Sequence, residues 1–493
     1  MTQKYKEQYR PQFHFTPEKS WMNDPNGMVF FNDEYHLFYQ YYPNDTVWGP
    51  MHWGHAVSRD MVHWEHLPIG LYPDEHGMIF SGSAVVDWNN TTGFFEDGKP
   101  GLVAIFTNHD KYPDSDRDRQ RQSLAYSKDN GRTWVKYEGN PVLSDENITD
   151  YRDPKVFWHH ETEKWVMVLA TGQSATLYTS SNLKEWEFAS EFGANAGSHD
   201  GVWECPDLFP LAVDDDENNQ KWVMFVSIGD DPKGKEGSRT QYFVGQFDGT
   251  TFTNENSDET VLWLDYGRDN YAGVSWSDIP ASDGRRIYIG WMSNWRYANL
   301  VPTKTWRSAM TLPRELSLTA TDDGVRLVQK PISEIGKIRK SSRVQEGLNI
   351  DESSPISIEL NNELTELELE IEQKTAATFD LIVEHSEDEK TIITCDFANG
   401  ALLVDRTNSG DNSFSESFPT VQEAPLKMNS EGKLKLQLFL DTSSIEVFAN
   451  DGEVAMTSLI FPSKIGEKLH LVSNNGETKI STMKVSKLNS IYE

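Results

Sequence analysis

Apolar residues in the first two-thirds of the chain fall into short runs separated by polar turns, and the runs come in sets. Five runs open the sets: MVFF after Asp24, GSAVV after Ser81, PKVFW after Asp153, CPDLF after Glu204 and AGVSW after Tyr271. Each is followed by a second, more strongly apolar run: YHLFYQ, GLVAIFT, WVMVLA, WVMFVS and RIYIGWM. A third follows (HWGHAVS, RQSLAYS, SATLYTS, QYFVGQF, RSAMTLP), and a weaker fourth closes several units, as in WEHLP, WVKYE and WEFAS. Between third and fourth runs a turn recurs, SRDMVHW, SKDNGRTW and SSNLKEW. Four short strands repeated at roughly 50 to 70 residues predict β-propeller blades. Five units predict five blades, with no amphipathic helix of three or more turns.

The pattern changes between Thr319 and Arg343, where Lys and Arg gather, and no Trp occurs after Trp306. Beyond it, ISIEL, LELEI, KLKLQLFL and SIEVF alternate apolar and polar positions, as strands buried on one face do. Asn450-Asp451-Gly452 after SIEVF reads as a hairpin turn, because these residues tolerate positive φ. The expected architecture is all-β, a five-bladed propeller over 1–335 followed by a β-sandwich over 336–493.

Composition narrows the function. Asp and Glu number 77 against 45 Lys and Arg, a formal charge of −32, which argues against nucleic acid or an anionic membrane as partner. Aromatics at 12% suit both sheet cores and stacking platforms for sugar rings. Two cysteines, Cys205 and Cys395, cannot make a disulfide framework. The opening MTQKYKEQYRPQFHF has no apolar core of a signal peptide, so a cytoplasmic location is expected, or a secreted one if a leader was removed.

First strands line a propeller's channel, so their starts converge on one mouth. Three of the five carry an acid beside or one residue from proline: Asn23-Asp24-Pro25, Arg152-Asp153-Pro154 and Glu204-Cys205-Pro206. A single Asp-Pro often does no more than begin a turn. Three in phase with a repeat point to a site, with each proline expected at the first residue of its strand. Glycoside hydrolysis needs a proton donor, a carboxylate that attacks or directs water, and an anion near the developing positive charge. Three carboxylates supply these without metal or cofactor, and none is expected. His52 and His55 lack a third ligand, so a histidine bonded to backbone is expected there. Cys205 reads as a packed thiol.

The segment Trp21-Met22-Asn23-Asp24-Pro25-Asn26-Gly27 resembles the N-terminal signature of glycoside hydrolase family 32, the invertase, inulinase and levanase family. Arg152-Asp153-Pro154 and Glu204-Cys205-Pro206-Asp207 look like its second and third signatures, and DTSSIEVFANDG looks like its sandwich motif. The resemblance implies a propeller and sandwich, a retaining β-fructosidase, Asp24 as nucleophile, Glu204 as acid and base, and Asp153 as transition-state stabiliser. It also implies that Asn23, Gln40, Trp48, Ser83 and Arg152 grip the terminal fructose, with Phe80 and Trp291 as apolar walls. Sucrose, fructo-oligosaccharides and fructans are the implied substrates. Exo-fructanase is the leading reading; a sucrose-6-phosphate hydrolase and a non-catalytic sugar-binding propeller are the alternatives.

Overall fold

The computed structural model describes residues 4–96, 98–232, 234–429 and 431–492, and among them the chain is almost entirely strand and turn. The two helical pieces described are 3-10 turns, Ser333–Ile338 and Asn450–Gly452. No described helix is long and apolar enough to cross a membrane.

Five antiparallel meanders form the N-terminal region. Blade one runs Ser20–Phe31, Glu34–Tyr42, His52–Ser58 and Trp64–Leu71. Blade two runs Met78–Asp87, Gly101–Lys111, Asp118–Ser127 and Val135–Lys136. Blade three runs Tyr151–His159, Lys164–Thr171, Ala175–Ser180 and Glu187–Phe192. Blade four runs Trp203–Val213, Asp216–Ile228, Arg239–Phe247 and Phe252–Asn254. Blade five runs Tyr271–Ser275, Arg286–Met292, Arg314–Thr321 and Gly324–Pro331. Their innermost strands touch in cyclic order, one to five and back to one, which closes the propeller. Two parallel contacts reinforce the closure: Trp306–Arg307 beside Ser20–Trp21, and Val29 beside Ser277.

The last blade corrects the sequence reading. The run Arg307–Pro313 is not its third strand; Trp306–Arg307 closes the ring, and only Ala309–Met310 pairs with Arg286–Met292. Ser308 at φ 82° and the missing N–H of Pro313 interrupt the run, so the third strand begins at Arg314.

The recurring turn has one physical cause in blades one to three. Ser58, Ser127 and Ser180 accept backbone N–H groups through their hydroxyls, and Asp60, Asp129 and Asn182 accept the next ones. The tryptophan that follows closes the turn: Trp64, Trp134 and Trp186 donate Nε1–H to the carbonyls of Met61, Gly131 and Leu183 at 3.1, 3.0 and 2.9 Å. These local side-chain bonds satisfy backbone groups that leave the ladder.

The C-terminal region is a sandwich of two six-stranded antiparallel sheets. One is ordered Arg339–Ile350, Thr478–Leu488, Thr365–Gln373, Lys433–Leu440, Ser444–Ala449, Val454–Leu459. The other is ordered Ile356–Glu359, Lys468–Asn474, Thr378–Glu384, Lys390–Asp396, Ala401–Asp405, Val421–Pro425. Alternate residues such as Leu367, Leu369 and Ile371 meet Phe379, Leu381 and Val383 between them. Asn450, Asp451 and Gly452 turn with positive φ, as their residue types predict.

Buried charge joins the two regions. Arg314 of blade five donates to Asp265 at 3.0 Å and to Glu446 of the sandwich at 2.6 Å. His14 lies between Asp441 and Glu446, 2.7 Å from each, and these carboxylates hold its imidazolium against the cost of burial, up to about 9. The approach to blade five is threaded along sandwich strand Val454–Leu459: Tyr266 and Asp269 donate backbone N–H to Ala455 and Thr457. Gly267 is needed there, since a Cβ would stand 2.1 Å from the Thr457 carbonyl oxygen.

Candidate active site

Every innermost strand carries the same irregularity near its start. Its partner advances two residues while it advances three, between Met22 and Pro25, Ile79 and Gly82, Arg152 and Lys155, Glu204 and Asp207, and Tyr271 and Val274. These are bulges, which bend a strand and re-aim its side chains. Asp24 and Asp153 lie inside theirs, and Glu204 stands immediately before its own. Asp153, Cys205 and Ala272 take left-handed φ of 65°, 46° and 53°. The prolines are therefore not first residues of strands; Pro154 and Pro206 occupy bulges, where no ladder N–H is required.

The three acids line one open cavity of about 430 Å³ with Asn23, Gln40, Trp48, Phe80 and Arg152. Asp24 accepts from Asn23 Nδ2 at 3.0 Å and from the Ser81 hydroxyl at 2.7 Å. Asp153 accepts the backbone N–H of Cys205 at 3.0 Å. The Cys205 thiol lies 3.5 Å from Asp24 and 3.6 Å from Asp153, so it bridges the two carboxylates from behind. Glu204 is held from both sides: Arg152 donates Nε–H and Nη2–H to Oε1 at 3.2 and 2.9 Å, and the Tyr271 hydroxyl donates to Oε2.

Electrostatics tie these groups into one unit. Burial pushes Asp153 up to about 7; Arg152 pulls it down, and Glu204 and Asp24 push it up again. Burial and the charge of Glu204 also raise Asp24. Burial among the same anions keeps Cys205 a thiol. Protons bound near neutrality thus belong to the cluster rather than to one acid. A raised carboxyl binds its proton more tightly folded than unfolded. Its cost to the fold is absent below its ordinary 3.8, grows as pH rises, and is complete above about 7. Asp153→Asn should therefore melt at a higher temperature than the parent, with the gap widening from about pH 4 to about pH 7. Thermal melts showing a constant gap would contradict this account.

Two expected contacts are not brought to the cavity. The Ser83 hydroxyl donates to the Pro154 carbonyl at 2.8 Å and accepts from Val156 N–H at 3.0 Å, joining blades two and three. Trp291 is fully buried against Trp21, Tyr271 and Trp295, and Trp295 lines the cavity in its place. Gln40 is present, but its amide donates to Asn26 Oδ1 and the Ile79 carbonyl, which leaves its oxygen for a ligand. The sequence reading omitted Ser81, His109, Asp118, Gln120, Asp150 and Asn299 from the lining, and Tyr271 behind Glu204. His55 bonds not to backbone but to His36, at 3.0 Å, whereas His52 does bond the Pro50 carbonyl. No group of three or more metal-ligating side chains occurs among the described residues. A second cavity of about 440 Å³ lies between blade five and the sandwich, and its acids Glu368, Glu370 and Asp451 are each paired with a lysine, Lys484, Lys433 and Lys435.

Residues 14–331 match the glycosyl hydrolases family 32 N-terminal domain, and residues 334–487 match the glycosyl hydrolases family 32 C-terminal region. The chain belongs to glycosyl hydrolase family 32. Among its family 32 relatives, the levanase of Bacillus subtilis (strain 168) is 52% identical over 99% of this chain and 72% of its own length. The extracellular exo-inulinase of Aspergillus awamori is 40% identical over 99% of this chain and 96% of its own. A crystal structure of exo-inulinase from A. awamori superposes with a TM-score of 0.90 at 39% identity, covering 99% of each chain. The fructofuranosidase of Schwanniomyces occidentalis complexed with fructosylnystose superposes at 0.88, with 32% identity and 99% of each chain covered. Family 32 architecture thus accounts for both regions of the molecule.

Proposed function

We propose that this family 32 hydrolase is a retaining, exo-acting β-fructosidase that releases terminal β-D-fructofuranose from fructans, fructo-oligosaccharides and sucrose. The observation that carries the reading is the convergence of Asp24, Asp153 and Glu204, from three different blades, on one cavity with aromatic walls. The similarity to levanase and exo-inulinase supports the substrate class. The same reading divides the chain at 335/336, the propeller carrying the chemistry and the sandwich bracing it.

In the first step a carboxylate oxygen of Asp24 attacks the anomeric carbon of the terminal fructose. The glycosidic C–O bond breaks as Glu204 gives its proton to the departing oxygen, leaving a fructosyl ester on Asp24. In the second step water attacks the anomeric carbon, Glu204 takes its proton, and Asp24 leaves as carboxylate. Asp153, aimed at the ring hydroxyls, strengthens its contacts as positive charge develops. Asn23 and Ser81 fix the direction of Asp24, and Arg152 and Tyr271 that of Glu204, so little reorganisation remains at the moment of reaction.

The lining disfavours a phosphorylated sugar. Arg152 is the one Lys or Arg among the described lining residues, and it is already bound to Glu204 and Asp150. Asp118 and Asp150 at the mouth would repel a phosphate. Exo-action is supported by the position of the acids at the base of a funnel of five strands, which admits a chain end. Chromatography of an inulin or levan digest should show free fructose from the earliest times while the polymer shortens slowly. An early ladder of oligosaccharides would mean endo-cleavage and would refute the funnel.

A further inference from the structure

On the reading that the cavity binds a terminal fructose at its base, we infer that His109 and Asp118 form a hydroxyl clamp for the leaving-group sugar. Exposure orders the cavity from base to mouth: the side chain of Asp153 is 6% exposed, that of Glu204 22% and that of Asp118 43%. The proton donor stands at the scissile oxygen, so what lies outward of Glu204 meets the departing unit. Asp118 is there, and His109, whose side chain is 12% exposed, lines the cavity beside it on the paired strand of blade two.

The imidazole of His109 is fixed in plane and in tautomer. It stacks on Phe80, with ring centroids 4.2 Å apart and planes within 10°. Its Nδ1 lies 3.2 Å from Gln120 Nε2. The amide of Gln120 can face only one way, because its oxygen accepts from Tyr151 N–H at 2.7 Å and from Arg152 Nη1–H at 3.2 Å. Gln120 therefore donates to Nδ1, and the proton of the neutral ring sits on Nε2. Burial, the largest influence on His109, favours that neutral form. Nε2–H faces Asp118 Oδ1 across 3.8 Å, too far for a direct hydrogen bond, while Lys111 stands 3.6 Å from the same oxygen. A donor and an acceptor left so spaced at a cavity mouth suit one hydroxyl that accepts from His109 and donates to Asp118. Arg152 thus orients both the proton donor and, through Gln120, the clamp.

The test compares two fructosides with one chemistry and different leaving groups: 1-kestose, which leaves as a sugar, and methyl β-D-fructofuranoside, which leaves as methanol. For His109→Phe, which keeps the stack, and for Asp118→Asn, the loss in kcat/KM on 1-kestose should exceed that on the methyl glycoside by about ten-fold, carried in KM. His109→Gln, which keeps an N–H, should recover part of it. Equal losses on both substrates would mean a structural role, and no loss on 1-kestose would mean no contact; either overturns the clamp. A parent enzyme that releases fructose from neither substrate would instead refute the β-fructosidase reading beneath it.

Discussion

Asp24→Ala should abolish turnover on every fructoside, by about 10⁴-fold or more in kcat, while the protein stays folded. The carboxylate has no substitute, because Ser81, Asn23 and Cys205 around it act as its hydrogen-bond donors. Glu204→Ala should look as severe on sucrose and fructans but respond to the leaving group. A fructoside whose leaving group needs no proton should regain much of the first step, since protonation is what the variant has lost. Added azide should then rescue the second step in Glu204→Ala with the anomeric configuration retained, whereas in Asp24→Ala azide can only displace the leaving group directly and give the inverted product. Matching circular dichroism and melting curves would establish equal folding. Substantial activity in Asp24→Ala without azide, or azide products of the same anomeric configuration from both variants, would reverse or dissolve the assigned roles.

The second large effect is on stability. Arg314 is fully buried and holds Asp265, Glu446, Gln329 and the Thr457 hydroxyl at once. Arg314→Met keeps bulk but takes from Asp265 its one ion-pair partner among the described residues, while Glu446 keeps His14, so a loss of about 3–5 kcal/mol is expected. The loss arises from uncompensated charge rather than from missing attraction. Adding Asp265→Asn to Arg314→Met should therefore return part of it, although a second polar contact has gone. Denaturant titration of parent, single and double variants reads both outcomes. A loss below about 1 kcal/mol, or a double variant weaker than the single, would show that the junction is held by its apolar contacts instead.

The architecture and the acid trio were legible because each has a sequence period: four strands per unit, and an acid near proline at three unit starts. The bulges were not legible, because an extra residue in a strand leaves the alternation looking like ordinary noise. That is why Ser83 was expected in the cavity and Ser81 was not. Two residues apart on a regular strand, they would share a face, but the irregularity between Ile79 and Gly82 sends them different ways. Tyr271 escaped notice for another reason: it reaches Glu204 across 67 positions of chain, from the first strand of the next blade. Trp291 and Trp295 are alike in residue type, and only packing decides which faces the ligand. The buried junction was equally invisible, since His14, Arg314 and Glu446 are isolated charges in sequence and neighbours only when folded.

The five bulges recur in blades two and five as well, where Phe80-Ser81 and Ala272-Gly273 fill them without an acid. The ring therefore offers five equivalent seats, two of them filled by the carboxylates Asp24 and Asp153, with Glu204 standing just before a third. Seen this way, the scaffold and the chemistry are separable inventions. The backbone bends at those points whatever side chain it carries, so a new reactive group could be installed at a vacant seat, or an old one exchanged, without redrawing the blade around it. Position 81, already in contact with Asp24, is the seat from which such a redesign would begin.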